Sequence, residues 1–231
     1  MITSENISKK YGTAEVLNIE SLEIPTGQSF GLVGNNGAGK TTYFNVLLDL
    51  IRPTTGSVTS NNVKVAESED WKTFTGSFID ESFLIGYLTP EEYFSFIGDL
   101  RGLNNEDIKT YLSQFDEFFN DEILEKKKYL RDLSKGNQKK VGIVAAMMGN
   151  PQVVVLDEPF ANLDPTTQIR LKTIIKKLTE DREITVLISS HDLNHVTEVC
   201  ERIVVLDKGL VVKDIQTSKE TLKELESYFA V

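Results

Sequence analysis

The sequence predicts an α/β protein: a mostly parallel sheet with flanking helices, an N-terminal antiparallel β layer, and an inserted helical subdomain. Three observations carry this. The runs Phe30-Gly31-Leu32-Val33, Val153–Leu156, 184–188 and 203–206 are short and continuously apolar, the mark of strands buried on both faces. Helical spacing over 165–178 and 192–199 separates the later runs, so strand and helix alternate as in a parallel sheet. Between Glu81 and Gly149 the β-branched runs disappear and helical spacing takes over, in Pro90–Leu100, 106–119 and 136–149. The chain has 231 residues, 40% of them apolar and 26% charged, which suits one globular domain with an insertion. The expected division is an α/β core over about 1–80 and 151–231 with a helical subdomain over about 81–150.

Taken in order, residues 1–24 alternate loosely, with Ile2, Ile7, Val16, Ile19, Leu22 and Ile24 apolar, and read as antiparallel strands around a Tyr11-Gly12 turn. The strand at 30–33 runs into Gly34-Asn35-Asn36-Gly37-Ala38-Gly39-Lys40-Thr41-Thr42, which satisfies the phosphate-loop pattern G-x-x-x-x-G-K-[ST]. Phe44, Leu47 and Leu48 then follow at helical spacing, so the loop lies between strand and helix. Its glycines permit a tight turn whose amides face a bound anion at the helix mouth, where the helix dipole favours negative charge. This is the core of a P-loop NTPase. Lys40 would reach the β- and γ-phosphates of ATP, and the Thr41 hydroxyl would ligate Mg²⁺.

Arg52-Pro53-Thr54-Thr55-Gly56 is a turn, followed by short strands around Val58, 63–65 and 77–79. The clusters Lys126-Lys127-Lys128 and Lys139-Lys140 read as solvated helix faces. Past Lys208-Gly209 the chain returns as a strand at 210–213, and 218–229 closes as a helix. Cys200 is the only cysteine, so no intramolecular disulfide forms. It reads as a small buried apolar group in a helix, in a reducing compartment. No apolar run approaches the roughly 20 residues of a membrane span, and no signal peptide is expected, which points to the cytoplasm. The net charge of −10 speaks against a nucleic-acid partner.

The apolar run at Val153–Leu156 ends in Asp157-Glu158-Pro159, two acids at the end of a strand that faces the ligand crevice of an open α/β sheet. Neighbouring residues on an extended chain point to opposite sides, so Asp157 can serve the metal while Glu158 orients or deprotonates the attacking water. His191 follows the strand at 184–190 and emerges at the same crevice. His191-Asp192-Leu193-Asn194-His195 also has the spacing of a zinc-binding histidine pair, but with Asp where the motif wants Glu and without a third ligand.

On these motifs the chain resembles an ATP-binding-cassette (ABC) nucleotide-binding subunit over nearly its entire length. The most specific mark is Leu133-Ser134-Lys135-Gly136-Asn137-Gln138, similar to the family signature L-S-G-G-Q. The resemblance implies that Ser134 and Gly136 grip ATP held by a second subunit, that Asp164 is the aspartate of the loop at the dimer seam, and that His191 touches the γ-phosphate. It also implies that Tyr11 stacks on adenine. Lys135 and Asn137 depart from the commonest signature in a way that looks like export-type subunits. The family's Q-loop glutamine falls on Asp80, a carboxylate that would approach the metal instead. By the same resemblance the chain is expected to be an ATPase whose homodimer, or pair with another ATP-binding subunit, energises an integral membrane permease from the inner face of the membrane. A non-transport ABC ATPase acting on nucleic acid or ribosomes, or an ATP-binding switch with negligible turnover, is the alternative.

Overall fold

A computed structural model describes residues 1–180 and 183–230. In chain order the strands and helices are β1 (Ile2–Tyr11), β2 (Ala14–Ile24), β3 (Ser29–Val33), α1 (Lys40–Leu47), β4 (Thr55–Ser60), β5 (Val63–Lys64), α2 (Trp71–Phe74) and β6 (Thr75–Phe78). A 3₁₀ turn, Glu81–Phe83, leads into α3 (Pro90–Leu100), α4 (Asn105–Ser113) and α5 (Asp116–Phe119), and a second, Leu130–Asp132, precedes α6 (Lys135–Met147). The chain closes with β7 (Val153–Leu156), α7 (Pro165–Thr179), β8 (Thr185–Ser190), α8 (Leu193–Val199), β9 (Arg202–Asp207), β10 (Leu210–Gln216) and α9 (Thr221–Phe229).

Two sheets result. The first is antiparallel in the order β2-β1-β4-β5, and the second runs β10-β9-β3-β8-β7-β6, parallel except for β10. Alternation along β7 divides the interior into two cores. Val153 and Val155 join Phe30, Phe44 and the buried side chains of β1 and β2, while Val154 and Leu156 face α6, α7 and α8. Phe30 and Phe44 are fully buried, each contributing about 2–3 kcal/mol by removal of its ring from water.

Three expectations shift. Leu17, two residues from Ile19 and so on the same face of β2, enters the core rather than Val16, which the slip in the β1–β2 pairing between Lys9 and Lys10 leaves without a partner. Cys200 is buried but stands just past α8 in extended conformation, and burial pushes its thiol pKa up. The lysine clusters part ways. Lys126, Lys127 and Lys128 are exposed in a loop, whereas Lys139 and Lys140 are buried inside α6, where they find carboxylates in Glu81 and Glu122.

Helix α6 lies directly on β6 because glycines remove the side chains between them. A Cβ at Gly76 would collide with the carbonyl of Ala146, and one at Gly142 with the ring of Phe78. This contact fixes α6 against the strand next to β7, whose end carries the two acids.

Candidate active site

The buried strand β3 delivers the chain to Gly34, and α1 starts at Lys40 with Gly39 as its N-cap at φ 108°, a left-handed conformation that favours glycine. Between them Asn35, Asn36 and Gly37 form an exposed rim, while Ala38 is buried and Gly39 packs against the Val16 carbonyl. Lys40 is buried, and its Nζ donates to the Gly34 carbonyl at 2.7 Å. The next residue, Thr41, donates its hydroxyl to Asp157 Oδ2 at 2.6 Å, and Thr42 is half-buried behind it.

Asp157 is almost fully buried, and burial pushes its carboxyl above the ordinary aspartate value against hydrogen bonds from Ser189 and Thr41. A carboxylate stripped of water beside a threonine hydroxyl is a pair of hard oxygens that suits Mg²⁺. Glu158 points elsewhere. Its Oε1 lies 3.4 Å from Lys40 Nζ, and its Oε2 is 2.8 Å from His191 Nδ1. The separation of the two acids has a different origin from simple strand alternation: β7 ends at Leu156, and Glu158 is left-handed at φ 46°. That backbone costs on the order of 1–2 kcal/mol for a residue with a Cβ. It is held at both flanks, because the Glu158 amide donates to Ser189 Oγ at 2.9 Å and its carbonyl accepts from Lys139 Nζ at 2.8 Å. Sequence reasoning missed both partners. The available signal for Ser189 was its place at the end of a strand neighbouring the Asp-Glu strand.

The histidines diverge. His195 Nε2 faces Asp192 at 3.5 Å and its ring stacks on Phe160 at 4.5 Å, so the two imidazoles serve different partners and the zinc arrangement does not form. Among the described residues no group of three or more His, Cys, Asp or Glu is placed to hold a metal.

The remaining site residues gather apart from the phosphate loop. Ser134 caps α6 by accepting from the Asn137 amide at 3.2 Å, and Asp164 caps α7 through Thr167. Ser134, Gly136 and Asp164 line one cleft of about 240 Å³ together with Asn162, and no phosphate-loop residue takes part in it. Tyr11 ends β1 and is 55% exposed, with Lys9 Nζ over its ring at 5.0 Å from the centroid.

Asp80 departs from expectation. Its carboxylate caps the 3₁₀ turn by accepting from the Ser82 amide at 2.8 Å, and the Ser82 side chain, together with that amide, lowers its pKa. The side chain is engaged locally because an extended residue before a turn presents its carboxylate to the orphan amide two residues on. Asp80→Ala should therefore cost roughly 0.5–1 kcal/mol at pH 7, and Asp80→Asn almost nothing, since both Asp and Asn cap well. A lowered folded pKa means that the stabilisation is full above the unfolded value, near 3.8, and is lost as pH falls through the folded value. Urea unfolding at pH 7 and pH 3 should show the Asp80→Ala penalty shrinking in acid.

Residues 17–161 match the family model described as ABC transporter. The bacitracin transport ATP-binding protein BcrA of Enterococcus faecalis is 32% identical over 95% of this chain and 70% of its own length. The methionine import ATP-binding protein MetN of Carboxydothermus hydrogenoformans is 30% identical over 93% and 66%. The ATP-binding cassette MJ0796, in a dimeric post-hydrolysis state bound to ADP and Pi, superposes with a TM-score of 0.81 at 28% identity, covering 94% of this chain and 99% of that one. A phosphate loop facing a buried aspartate and a glutamate, on a fold shared with a cassette that has turned over ATP, establishes the assignment: the chain belongs to the ABC transporter family as an ATP-binding ATPase subunit.

Proposed function

We propose that the chain acts as one half of a head-to-tail pair of cassettes that drives a separate integral membrane permease. One observation carries this. Lys40, Thr41, Asp157, Glu158 and His191 converge at one place, while Ser134, Gly136 and Asp164 line another cleft of the same chain. Each cluster is half of a nucleotide site, and two chains facing each other complete both. The Ser134 cap at the start of α6 suits a phosphate oxygen, which a helix N-terminus attracts.

In this reading adenine stacks on Tyr11 and the triphosphate lies along the amides of Gly34 to Thr42. Thr41 and Asp157 hold Mg²⁺, which when bound neutralises charge on the phosphate oxygens. Glu158 accepts a proton from the attacking water, whose oxygen bonds to the γ-phosphorus as the bond to the β-γ bridging oxygen breaks. Lys40 offsets the charge that builds on the departing ADP. His191 holds the Glu158 carboxylate in its aim through Oε2. The pair closes on ATP and opens after hydrolysis, and the permease moves with it. Lys135 and Asn137 support the export direction, as the signature variant of export-type subunits. Among the described residues no helix is long and apolar enough to cross a membrane, so attachment at the inner membrane face would come through the permease.

The permease docks, in this reading, where the helical insertion meets the core. A groove of about 690 Å³ lies there, lined by Trp71, Phe83, Leu84, Tyr93, Ile97 and Leu100. Phe83 and Tyr87 are 59% and 74% exposed, while Leu84 and Leu88 pack on the core. Large apolar groups in water at a groove mark an interaction site. Phe83→Ser with Tyr87→Ser should reduce ATP-driven transport in reconstituted vesicles about tenfold or more, by loss of central interface contacts. The isolated subunit should keep its ATPase within about twofold and its stability within about 0.5 kcal/mol, as exposed positions do. Uptake into inside-out vesicles on ATP addition would establish export; ATPase that never depends on a co-purifying permease would overturn the transport reading.

A further inference from the structure

Lys139 is a buried cation with no task in the binding or cleavage of ATP by the groups already named. It sits inside α6 with its ammonium between two acceptors from distant parts of the chain: the main-chain carbonyl of Glu158 at 2.8 Å and Glu81 Oε1 at 3.6 Å. Both side chains of the ion pair are nearly excluded from water. A buried ammonium is costly unless fully engaged, so the arrangement is tolerated only with both partners in place.

We propose that Lys139 is a positioning residue for hydrolysis: its ammonium holds the Glu158 carbonyl, and thereby the left-handed backbone that aims the Glu158 carboxylate between Lys40 and His191. The geometry is that of a clamp. Ser189 Oγ takes the amide on one side of the Glu158 α-carbon, and Lys139 holds the carbonyl on the other, which also accepts from the Ala161 amide at 3.2 Å. With φ at 46°, a backbone released from that clamp would relax toward negative φ and carry the carboxylate away from the attacking water.

The clamp has a further property. Lys139 stands five residues beyond Ser134, about 7.5 Å along the same rigid helix at 1.5 Å per residue, so the partner-facing end of α6 and the Glu158 backbone are tied through one element. Through Glu81 the same ammonium also holds the turn beside the apolar groove. The inference rests on Glu158 as the carboxylate that activates water, and the test separates the two.

The discriminating variant is Lys139→Met combined with Glu81→Leu, which removes both charges and leaves no uncompensated ion. Its melting temperature should match or exceed that of the parent, whereas Lys139→Met alone, which strands Glu81, should melt lower. Despite its stability the double variant should lose about tenfold or more in kcat, with KM for ATP within about twofold, since the water is misaligned and the nucleotide contacts are intact. On size exclusion with Mg-ATP it should persist as an ATP-bound dimer, a trap that a merely structural defect does not set. Lys139→Gln with Glu81→Gln, which restores an N–H donor without a charge, should regain several-fold of the lost kcat.

A stable double variant with parental kcat overturns the proposal, as does a Gln pair no faster than the Met-Leu pair. Glu158→Gln is run beside them. If it is slow while the Met-Leu pair is not, the clamp fails and the role of Glu158 stands. If Glu158→Gln turns over like the parent, both fall.

Discussion

Glu158→Gln is expected to lower ATP turnover by about 10²–10⁴-fold while leaving ATP affinity nearly intact, the usual scale for loss of a positioned general base. The substitution is nearly isosteric, so the amide still occupies the space between Lys40 and His191 and can keep a hydrogen bond to His191. What disappears is a carboxylate able to take the water's proton. Since closure needs ATP and opening needs its cleavage, the variant should collect as a dimer with ATP trapped in both seams. Size exclusion with Mg-ATP, then identification of the bound nucleotide, makes the distinction. A variant that stays monomeric with parental turnover would be incompatible with Glu158 as the base.

Lys40→Ala should weaken ATP binding by about 100-fold, measured by titration with a fluorescent nucleotide. Two causes add. A charge-assisted hydrogen bond to phosphate contributes about 1.5–3 kcal/mol, and every 1.4 kcal/mol is tenfold in Kd. In addition, the positive charge now beside Glu158 vanishes, leaving Asp157 and Glu158 to face the triphosphate with less compensation. The fold should survive, because alanine is a good helix former at the first position of α1 and the loop conformation depends on its glycines. Unchanged affinity in a folded Lys40→Ala protein would mean that the phosphates bind elsewhere.

The parts of the fold that were legible in the sequence are those whose causes are local. Val153–Leu156 is a four-residue apolar run that a strand bounds by itself, and Pro90–Leu100 begins with proline behind a Thr89–Glu92 capping box. The phosphate loop was legible for the same reason, since its glycines and lysine act within one turn of chain. Lys139 and Lys140 were not. A lysine carries its charge in the sequence, but whether it is solvated depends on Glu81 and Glu122, which the fold brings in from other segments. The left-handed backbone of Glu158 was hidden likewise, because nothing next to it in the chain demands φ above zero; Ser189 and Lys139 impose it from two other elements. Asp80 illustrates a third cause. Position in a family pattern suggested the metal, but a nearby orphan amide is a closer partner for a short carboxylate.

The glycine seam between α6 and β6 governs how motion travels. Where side chains separate two elements, a displacement of one is partly absorbed by rotamer changes before it reaches the other. At Gly76 against Ala146 the two backbones meet directly, and at Gly142 backbone meets an aromatic ring. Such a joint has almost no soft coordinate, so α6 and the end of the sheet behave as one stiff lever, and a push delivered at one end arrives undamped at the other. Stiffness of this kind has a signature in time as well as in space. The amides of Thr75–Phe78 and of the second half of α6 should exchange with solvent only when the whole domain opens. The exposed segment around Tyr87, which has no such seam, should exchange orders of magnitude faster.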